Sequence, residues 1–160
     1  MIIVTVGMQL GFDRLIAAMD ALAPSLGMKV IAQTGKGSYQ PQNMEARVKI
    51  APAEFEALMG EARLIVSHAG IGTVLTAARR ARPIVLMPRR AELGEHRNDH
   101  QLATTRKLAG RPGILIAANE SELSLRISEG LALTDWSATR SPTAQALNAA
   151  LAAFIENRPL

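Results

Sequence analysis

Two segments in the middle of the chain contain the residue types of a ligand site. The first is SHAGIGT, Ser67 to Thr73, in which Gly70 and Gly72 stand between an apolar run and a helical pattern. Backbone N–H groups at a helix N-terminus attract anions, and glycine lets a phosphate approach closely because it has no β-carbon. Capping of the helix by Gly72 or Thr73 explains the same pattern without a ligand. Because the motif is neither GxGxxG nor a Walker loop, it does not by itself indicate a dinucleotide or ATP.

The second segment is GEHRNDHQ, Gly94 to Gln101. Its amide, carboxylate and imidazole groups offer many donors and acceptors to the hydroxyl groups of a sugar. Capping of the next helix by Asn98 or Asp99 is an alternative that needs no ligand. His96 and His100 have the spacing of two metal ligands on one helix face, but the Glu that a zinc hydrolase has beside its first His is missing. No Asp-x-Asp follows a strand either, so we expect no metal.

Three further features are candidates for the same site. The loop from Gly7 to Gly11 follows the first apolar run of the chain. His68 follows a buried strand, where a histidine can be structural or catalytic. Arg89 and Arg90 follow another strand directly and are candidate anion ligands. No nucleophile elbow of a Ser-His-Asp hydrolase is present.

Composition limits the classes of function. The 160 residues suit one domain, and the 48% hydrophobic and 20% charged content is that of a globular protein. A net charge of +4 without basic and aromatic residues interleaved does not predict a nucleic-acid partner. The start MIIVTVG predicts a strand and not a signal peptide, and no segment reaches the roughly 20 apolar residues of a membrane span. We therefore expect a cytoplasmic protein whose membrane contact, if any, is peripheral or made through a partner.

Short apolar runs alternate with helical patterns along the chain. This alternation predicts an α/β fold with a doubly wound, mostly parallel, six-stranded Rossmann-like sheet, covered by helices on both faces. The polar loop from Thr34 to Asn43 is expected to be the most flexible segment. The predicted strands are Ile2–Val6, Lys29–Gln33, Val48–Ile50, Leu64–Ser67, Ile84–Met87 and Ile114–Ile116, and the later helices begin near Thr73, Asn98, Glu120 and Pro142.

In such a sheet, ligands bind beyond the carboxyl ends of the strands. Three loops leave the predicted sheet at those ends, after strands one, four and five: residues 7–11, 67–73 and 88–101. The glycine-bearing and polar segments are therefore expected to meet at one edge of the sheet.

Three separated motifs resemble the C-terminal domain of family 28 glycosyltransferases. They are VTVGMQLGFDRLI, LIVSHAGIGTVLTAARRARPIVLMPR and GEHRNDHQLATTRKL, and their order and spacing match over about residues 1 to 110. Small subunits of two-component transferases share this pattern. One is the catalytic half of the eukaryotic dolichol-linked N-acetylglucosaminyltransferase. Others are small subunits of bacterial exopolysaccharide β-glycosyltransferases, including glucuronosyltransferases, which the PRR…GEHRNDHQ run resembles most.

The resemblance implies a single UDP-sugar donor-binding domain over residues 1–160, the C-terminal half of a GT-B enzyme. It places the diphosphate at the glycine loops, uracil near Ile50 and Ala51, and the donor sugar at the start of a helix. Many relatives have Thr where Met8 stands and use a Glu on the ribose where Thr76 stands, so ribose recognition is expected to move to Glu95. The residues expected to contact the donor are Gly7, Met8, Ile50, Ala51, His68, Gly70, Ile71, Gly72, Thr73, Arg89, Glu95, Asp99, His100 and Gln101.

The implied reaction is an inverting, metal-independent transfer from a UDP-sugar to a lipid-linked acceptor in polysaccharide biosynthesis, without a cofactor. Because the chain begins at the strand that opens the donor domain, a membrane-anchored partner subunit is expected to bind the acceptor and supply the base. This partner would hold the chain at the inner face of the membrane. The predicted C-terminal helix over 141–157 either contacts that partner or packs on the sheet. With UDP-glucuronate as donor, Arg89, Arg90 or Arg97 would pair with the sugar carboxylate.

Two alternatives remain open from the sequence. A non-catalytic subunit that stabilises or enhances a partner transferase is one, because Met8 and Thr76 stand where relatives hold ligand contacts. A nucleotide-sugar epimerase is the other, although it would need a second Rossmann half in the same chain.

Overall fold

The computed structural model describes residues 1–133, so the helix predicted over 141–157 lies outside the described residues. In this range all five strand pairings of the six-stranded sheet are parallel, and the strand order is β3-β2-β1-β4-β5-β6. The strands are β1 (Ile2–Thr5), β2 (Val30–Gln33), β3 (Glu45–Arg47), β4 (Leu64–His68), β5 (Ile84–Met87) and β6 (Ile114–Ile116). This is the doubly wound Rossmann-like order, and the predicted fold class is confirmed.

Five α-helices cover the sheet within residues 1–133: α1 (Asp13–Leu22), α2 (Pro52–Glu61), α3 (Ile71–Arg79), α4 (His100–Leu108) and α5 (Leu123–Ala132). None of these described helices is both long and apolar enough to cross a bilayer. One core joins α1 and α5 to one face of the sheet, and a second core joins α2, α3 and the end of α4 to the other face. Side chains of β1 alternate between the two cores, since Ile2 and Val4 belong to the first and Ile3 to the second.

The third strand differs from the prediction. It comprises Glu45–Arg47 and not Val48–Ile50. It lies at the edge of the sheet, paired only with β2, so polar side chains are tolerated there. Glu45 forms ion pairs with Lys29 at 2.8 Å and with Arg47 at 2.5 Å. Val48, although β-branched, is 63% exposed. The prediction from apolar β propensity was therefore wrong for this strand, because backbone pairing with β2 and ion pairs at the sheet edge stabilise it.

The loop from Thr34 to Asn43, which the sequence predicts to be the most flexible segment, is anchored to α1 by hydrogen bonds. The buried carboxylate of Asp20 accepts hydrogen bonds from the backbone N–H groups of Gln42 and Asn43 and from the Tyr39 hydroxyl. Burial alone would raise the pKa of Asp20, but these hydrogen bonds outweigh it and lower the pKa below its ordinary value. The anchor depends on groups about 20 residues apart in sequence, so the local loop composition did not reveal it.

Candidate functional site

A cavity of about 390 Å³ lies beyond the carboxyl ends of β1, β2 and β4. β1 leads to α1 on one face of the sheet, whereas its neighbour β4 leads to α3 on the other face. The cavity is therefore at the topological switch point, where open parallel sheets bind their ligands. Its walls come from strand ends, the start of α2 and the start of α3, namely Thr5, Gly7, Met8, Gln33, Ile50, Pro52, Phe55, Glu56, His68, Gly70, Gly72, Thr73 and Thr76.

The N-terminus of α3 opens onto this cavity. The helix begins at Ile71, two residues earlier than predicted, with Gly70 in extended conformation before it. The first N–H groups of a helix have no partner within it, and here Val74 is the first to bond back, to the carbonyl of Gly70 at 3.3 Å. A β-carbon on Gly72 would meet no atom within 4 Å. Backbone donors and the positive end of the helix dipole are thus accessible to an anion.

His68 lies between the two glycine loops. A β-carbon on Gly7 would come within 2.9 Å of His68 Cε1, and one on Gly70 would collide with Nε2. The absence of a side chain at Gly7 and Gly70 is therefore required by the protein's own imidazole, whereas Gly72 alone of these three faces open space. Burial, reinforced by the charge of Arg89, lowers the pKa of His68 to about 4, so the ring is neutral at pH 7.

Arg89 has a structural position and does not line the cavity. Its side chain is buried, and Nη2 donates to the carbonyl oxygens of Val6 at 2.8 Å, Leu10 at 2.9 Å and Gly11 at 3.2 Å. The guanidinium also lies 5.1 Å from the ring centroid of Phe12. Because Nη2 holds the loop that follows β1 and Arg89 does not line the cavity, anion binding by Arg89 stays a prediction that this geometry does not support.

Glu95 is likewise engaged with the protein. Its carboxylate accepts two hydrogen bonds from Arg14, at 2.6 and 2.8 Å, and one from the backbone N–H of Arg90 at 2.8 Å. These bonds fix the loop after β5 to the start of α1, and Glu95 does not line the cavity. The expected transfer of ribose recognition to Glu95 therefore lacks support.

The three residues expected to hold the donor sugar lie at the start of α4, outside the cavity wall. Gln101 is buried, and its Oε1 accepts from the backbone N–H groups of Ala69 at 3.3 Å and Arg89 at 3.1 Å. Asp99 occupies the N-cap position of α4, but its side chain makes no capping hydrogen bond, and its carboxylate accepts from the N–H of Ala91 at 2.9 Å. His100 bonds to the side chain of Asn98. Sugar contacts by Asp99, His100 and Gln101 remain predictions.

His96 and His100 come together, but they do not share one helix face as their spacing suggested, because His96 lies in the loop before α4. Their rings pack edge to face with centroids 4.4 Å apart. Over residues 1–133, no three side chains of the metal-ligating types form a cluster that could hold an ion.

Half of the predicted donor contacts line the cavity: Gly7, Met8, Ile50, His68, Gly70, Gly72 and Thr73. Ala51 precedes α2 as its N-cap, and Ile71 opens α3. Sequence reasoning did not name five lining residues as contacts, which are Thr5, Gln33, Pro52, Phe55 and Glu56. Thr5 and Gln33 end apolar strands, and the Thr5 hydroxyl donates a buried hydrogen bond of 2.9 Å to the Gln33 side chain. A polar residue at the carboxyl end of an apolar strand was therefore the sequence signal that could have identified both as cavity residues.

The charge of the cavity wall is unusual for an anion site. Among the lining residues, all within the described part of the chain, Glu56 is the single charged side chain, and no Lys or Arg is present. A bound phosphate would therefore depend on backbone N–H groups and the dipole of α3.

Comparisons with known proteins agree with this geometry. The model of the glycosyltransferase family 28 C-terminal domain matches residues 1–153. A curated relative, the UDP-N-acetylglucosamine transferase subunit ALG13 of Cryptococcus neoformans var. neoformans serotype D, is 42% identical over 48 residues, which is 29% of this chain and 24% of the relative. The match thus spans about a quarter of that relative's length.

Solved glycosyltransferase structures share the fold. The glycosyltransferase of kitacinnamycin superposes with a TM-score of 0.66 at 16% identity, over 99% of this chain and 43% of that one. The spinosyn rhamnosyltransferase SpnG gives 0.64 at 18% identity, over 98% of this chain and 45% of that one. The glycosyltransferase SnogD from Streptomyces nogalater superposes with a TM-score of 0.59 at 21% identity, over 83% of this chain and 34% of that one. This chain therefore corresponds to less than half of each of these GT-B enzymes.

Proposed function

Since this chain belongs to the family of glycosyltransferase family 28 C-terminal domains, we propose that it binds the UDP-sugar donor of an inverting glycosyltransferase. The observation that carries the proposal is the switch-point cavity that opens onto the N-terminus of α3 at Gly72. A diphosphate fits this position because its charge meets backbone donors and a helix dipole, and because no side chain at residue 72 obstructs it.

In the proposed reaction, the N–H groups of Ile71, Gly72 and Thr73 bind the diphosphate. The uracil lies toward Ile50, at the wall formed by the start of α2. An acceptor hydroxyl attacks the anomeric carbon from the side opposite the diphosphate, the glycosidic bond to UDP breaks, and the acceptor proton passes to a base. The same helix dipole stabilises the negative charge that develops on the departing UDP.

We further propose that a second, membrane-anchored subunit supplies the lipid-linked acceptor and the base, and so holds the chain at the cytoplasmic face of a membrane. Support for a partner comes from the curated relative, which is named as a transferase subunit. That name also makes UDP-N-acetylglucosamine the first donor to test. The PRR…GEHRNDHQ run supports exopolysaccharide biosynthesis instead, with UDP-glucose or UDP-glucuronate as donor.

Calorimetric titration of the full chain with UDP, alone and with its partner, tests the donor site. We expect binding by the wild-type chain and none by Gly72→Asp, because a carboxylate at the helix N-terminus repels the diphosphate. Gly60→Asp adds the same charge in α2, outside the cavity wall, and should bind as the wild type does. Absence of binding to wild type in both settings rejects the proposal. Titration with UDP-N-acetylglucosamine, UDP-glucose and UDP-glucuronate then identifies the sugar. Transfer activity that persists in EDTA supports a metal-independent reaction.

The alternative is a non-catalytic subunit that enhances a partner transferase. Met8 and Thr76 line the cavity and are the two positions at which the residue differs from that of many relatives. These two differences are the observation that favours the non-catalytic alternative. Transfer by the complex separates the two functions. Gly72→Asp abolishes transfer if this chain binds the donor, and leaves it nearly unchanged if the chain only enhances its partner.

A further inference from the structure

Glu56 is the charged residue of the cavity wall. It lies in the second turn of α2 and faces the cavity together with Thr76 of α3. Its side chain is 37% exposed, so it is accessible to a ligand that enters from solvent. The sequence alone drew no attention to Glu56, because α2 showed only the pattern of a core-packing helix.

Two arginines hold the carboxylate of Glu56 in place. Oε2 accepts from Nε and Nη2 of Arg80 at 3.0 and 2.8 Å. Oε1 has only a long contact of 3.4 Å, with Nη2 of Arg79. Since a carboxylate has about four acceptor sites, Glu56 retains acceptor capacity in an orientation that is already defined.

Hydroxyl groups are the ligand chemistry that fits this carboxylate. A phosphate near Glu56 would be repelled, whereas a hydroxyl donates a hydrogen bond that is strengthened by the negative charge. The Thr76 hydroxyl on the facing helix is already used, because it donates to the carbonyl of Gly72 at 3.1 Å and accepts from Arg79 at 3.2 Å. Glu56 is therefore the strongest acceptor at this end of the cavity.

The position of Glu56 relative to the helix N-terminus suits a nucleotide. Thr76 lies four residues beyond Gly72 along α3, which is about 6 Å at the usual rise of a helix. The wall that carries Glu56 and Thr76 is thus about one helical turn from the proposed diphosphate position. A ribose attached to that diphosphate would bring its hydroxyl groups to this wall.

We propose that Glu56 is a specificity-determining residue that accepts hydrogen bonds from the ribose hydroxyls of the bound nucleotide. Arg79 and Arg80 act as positioning residues for its carboxylate. This inference rests on the proposed nucleotide site and adds to it a selection for ribonucleotides over deoxyribonucleotides. It also gives the chain a ribose acceptor although Thr76 replaces the Glu of many relatives and Glu95 is engaged elsewhere.

Calorimetry on the full chain with UDP and 2′-deoxy-UDP tests this assignment. Wild type should bind UDP about tenfold more tightly, the size expected for one hydrogen bond to a charged group. Glu56→Gln should reduce the ratio to about twofold or less. The matched control is Glu54→Gln on the same helix, whose carboxylate pairs with Arg47 and does not line the cavity, and it should keep the wild-type ratio. Thermal melting of each variant verifies folding.

The outcomes separate the two proposals. If wild type binds UDP but shows no preference over 2′-deoxy-UDP, or if Glu56→Gln leaves the preference unchanged, the role of Glu56 is overturned and the nucleotide site stands. If wild type binds neither nucleotide, with or without its partner, both proposals fail.

Discussion

The imidazole of His68 occupies the space that a side chain on Gly70 would need. Gly70 therefore makes room for the protein's own ring, and a β-carbon on Gly7, in the loop after β1, would also come within 2.9 Å of that ring. Gly72, two residues further along, faces open space instead. One short motif thus contains a glycine required by packing and a glycine available to a ligand.

Alanine substitutions should separate these two kinds of glycine. Gly70→Ala forces a β-carbon into His68, and overpacking of this kind costs roughly 1–3 kcal/mol of unfolding free energy. Gly72→Ala should change stability by less than about 0.5 kcal/mol while it weakens UDP binding. Chemical denaturation and calorimetry measure the two effects. A second change, His68→Ala, should restore part of the loss in Gly70→Ala, and equal losses in the two glycine variants would contradict the packing explanation.

The buried neutral His68 should make stability depend on pH. Its folded pKa of about 4 is below the ordinary value of 6.5, so between these values the unfolded chain binds a proton that the folded chain does not. Stability is therefore complete above pH 6.5 and falls as the pH decreases toward 4, by at most roughly 1.4 kcal/mol per pH unit.

Denaturation between pH 6.5 and 5, where most carboxylates stay ionised, measures this slope. In the His68→Asn variant, the free energy of unfolding should depend less on pH in that window than it does in wild type. Equal slopes in the two proteins would show that His68 is accessible to protons in the folded state.

Arg89 should be needed for stability more than for ligand affinity. The side chain of Arg89→Lys ends short of the position of Nη2, which alone donates to all three carbonyl groups, and leaving these buried acceptors unpaired should cost roughly 2–4 kcal/mol. Arg97→Lys, at an exposed position of the same loop, should cost less than about 0.5 kcal/mol. Urea denaturation measures both. If Arg89→Lys keeps its stability and loses UDP affinity, the guanidinium is an anion ligand after all.

Gln101 connects the loop after β4 to the loop after β5. Gln101→Met keeps the side-chain volume but removes the acceptor for the N–H groups of Ala69 and Arg89, at a cost of roughly 2–4 kcal/mol. Gln40→Met, where the exposed side chain makes one long hydrogen bond of 3.5 Å, should have little effect.

A comparison of ligands distinguishes the structural role of Gln101 from the predicted sugar contact. If Gln101 only fixes the loops, Gln101→Met weakens UDP and UDP-sugar binding by the same factor. A loss confined to the UDP-sugar would show that Gln101 holds the sugar directly.

Local patterns were sufficient for most of the fold. Apolar runs such as Ile2–Val6 and Ile84–Met87 are buried, and a short β-branched run of that kind is typical of a strand in a parallel sheet covered on both faces. The same reasoning failed at β3, because an edge strand needs backbone pairing and not apolar side chains. It also missed the anchor at Asp20, whose partners are distant in sequence.

The sequence by itself determined that glycine loops and polar segments follow strands that end at one edge of the sheet, because strand and helix periodicities are local properties. Only the tertiary structure decided which polar groups face the cavity. The chemistry that could bind phosphates and sugars is present in Arg89, Glu95 and Gln101. The same donors and acceptors bind backbone groups equally well, and in the folded chain they bond to backbone groups of the protein. Glu56 faces the cavity because α2 and α3 pack side by side, a relationship that no local pattern contains.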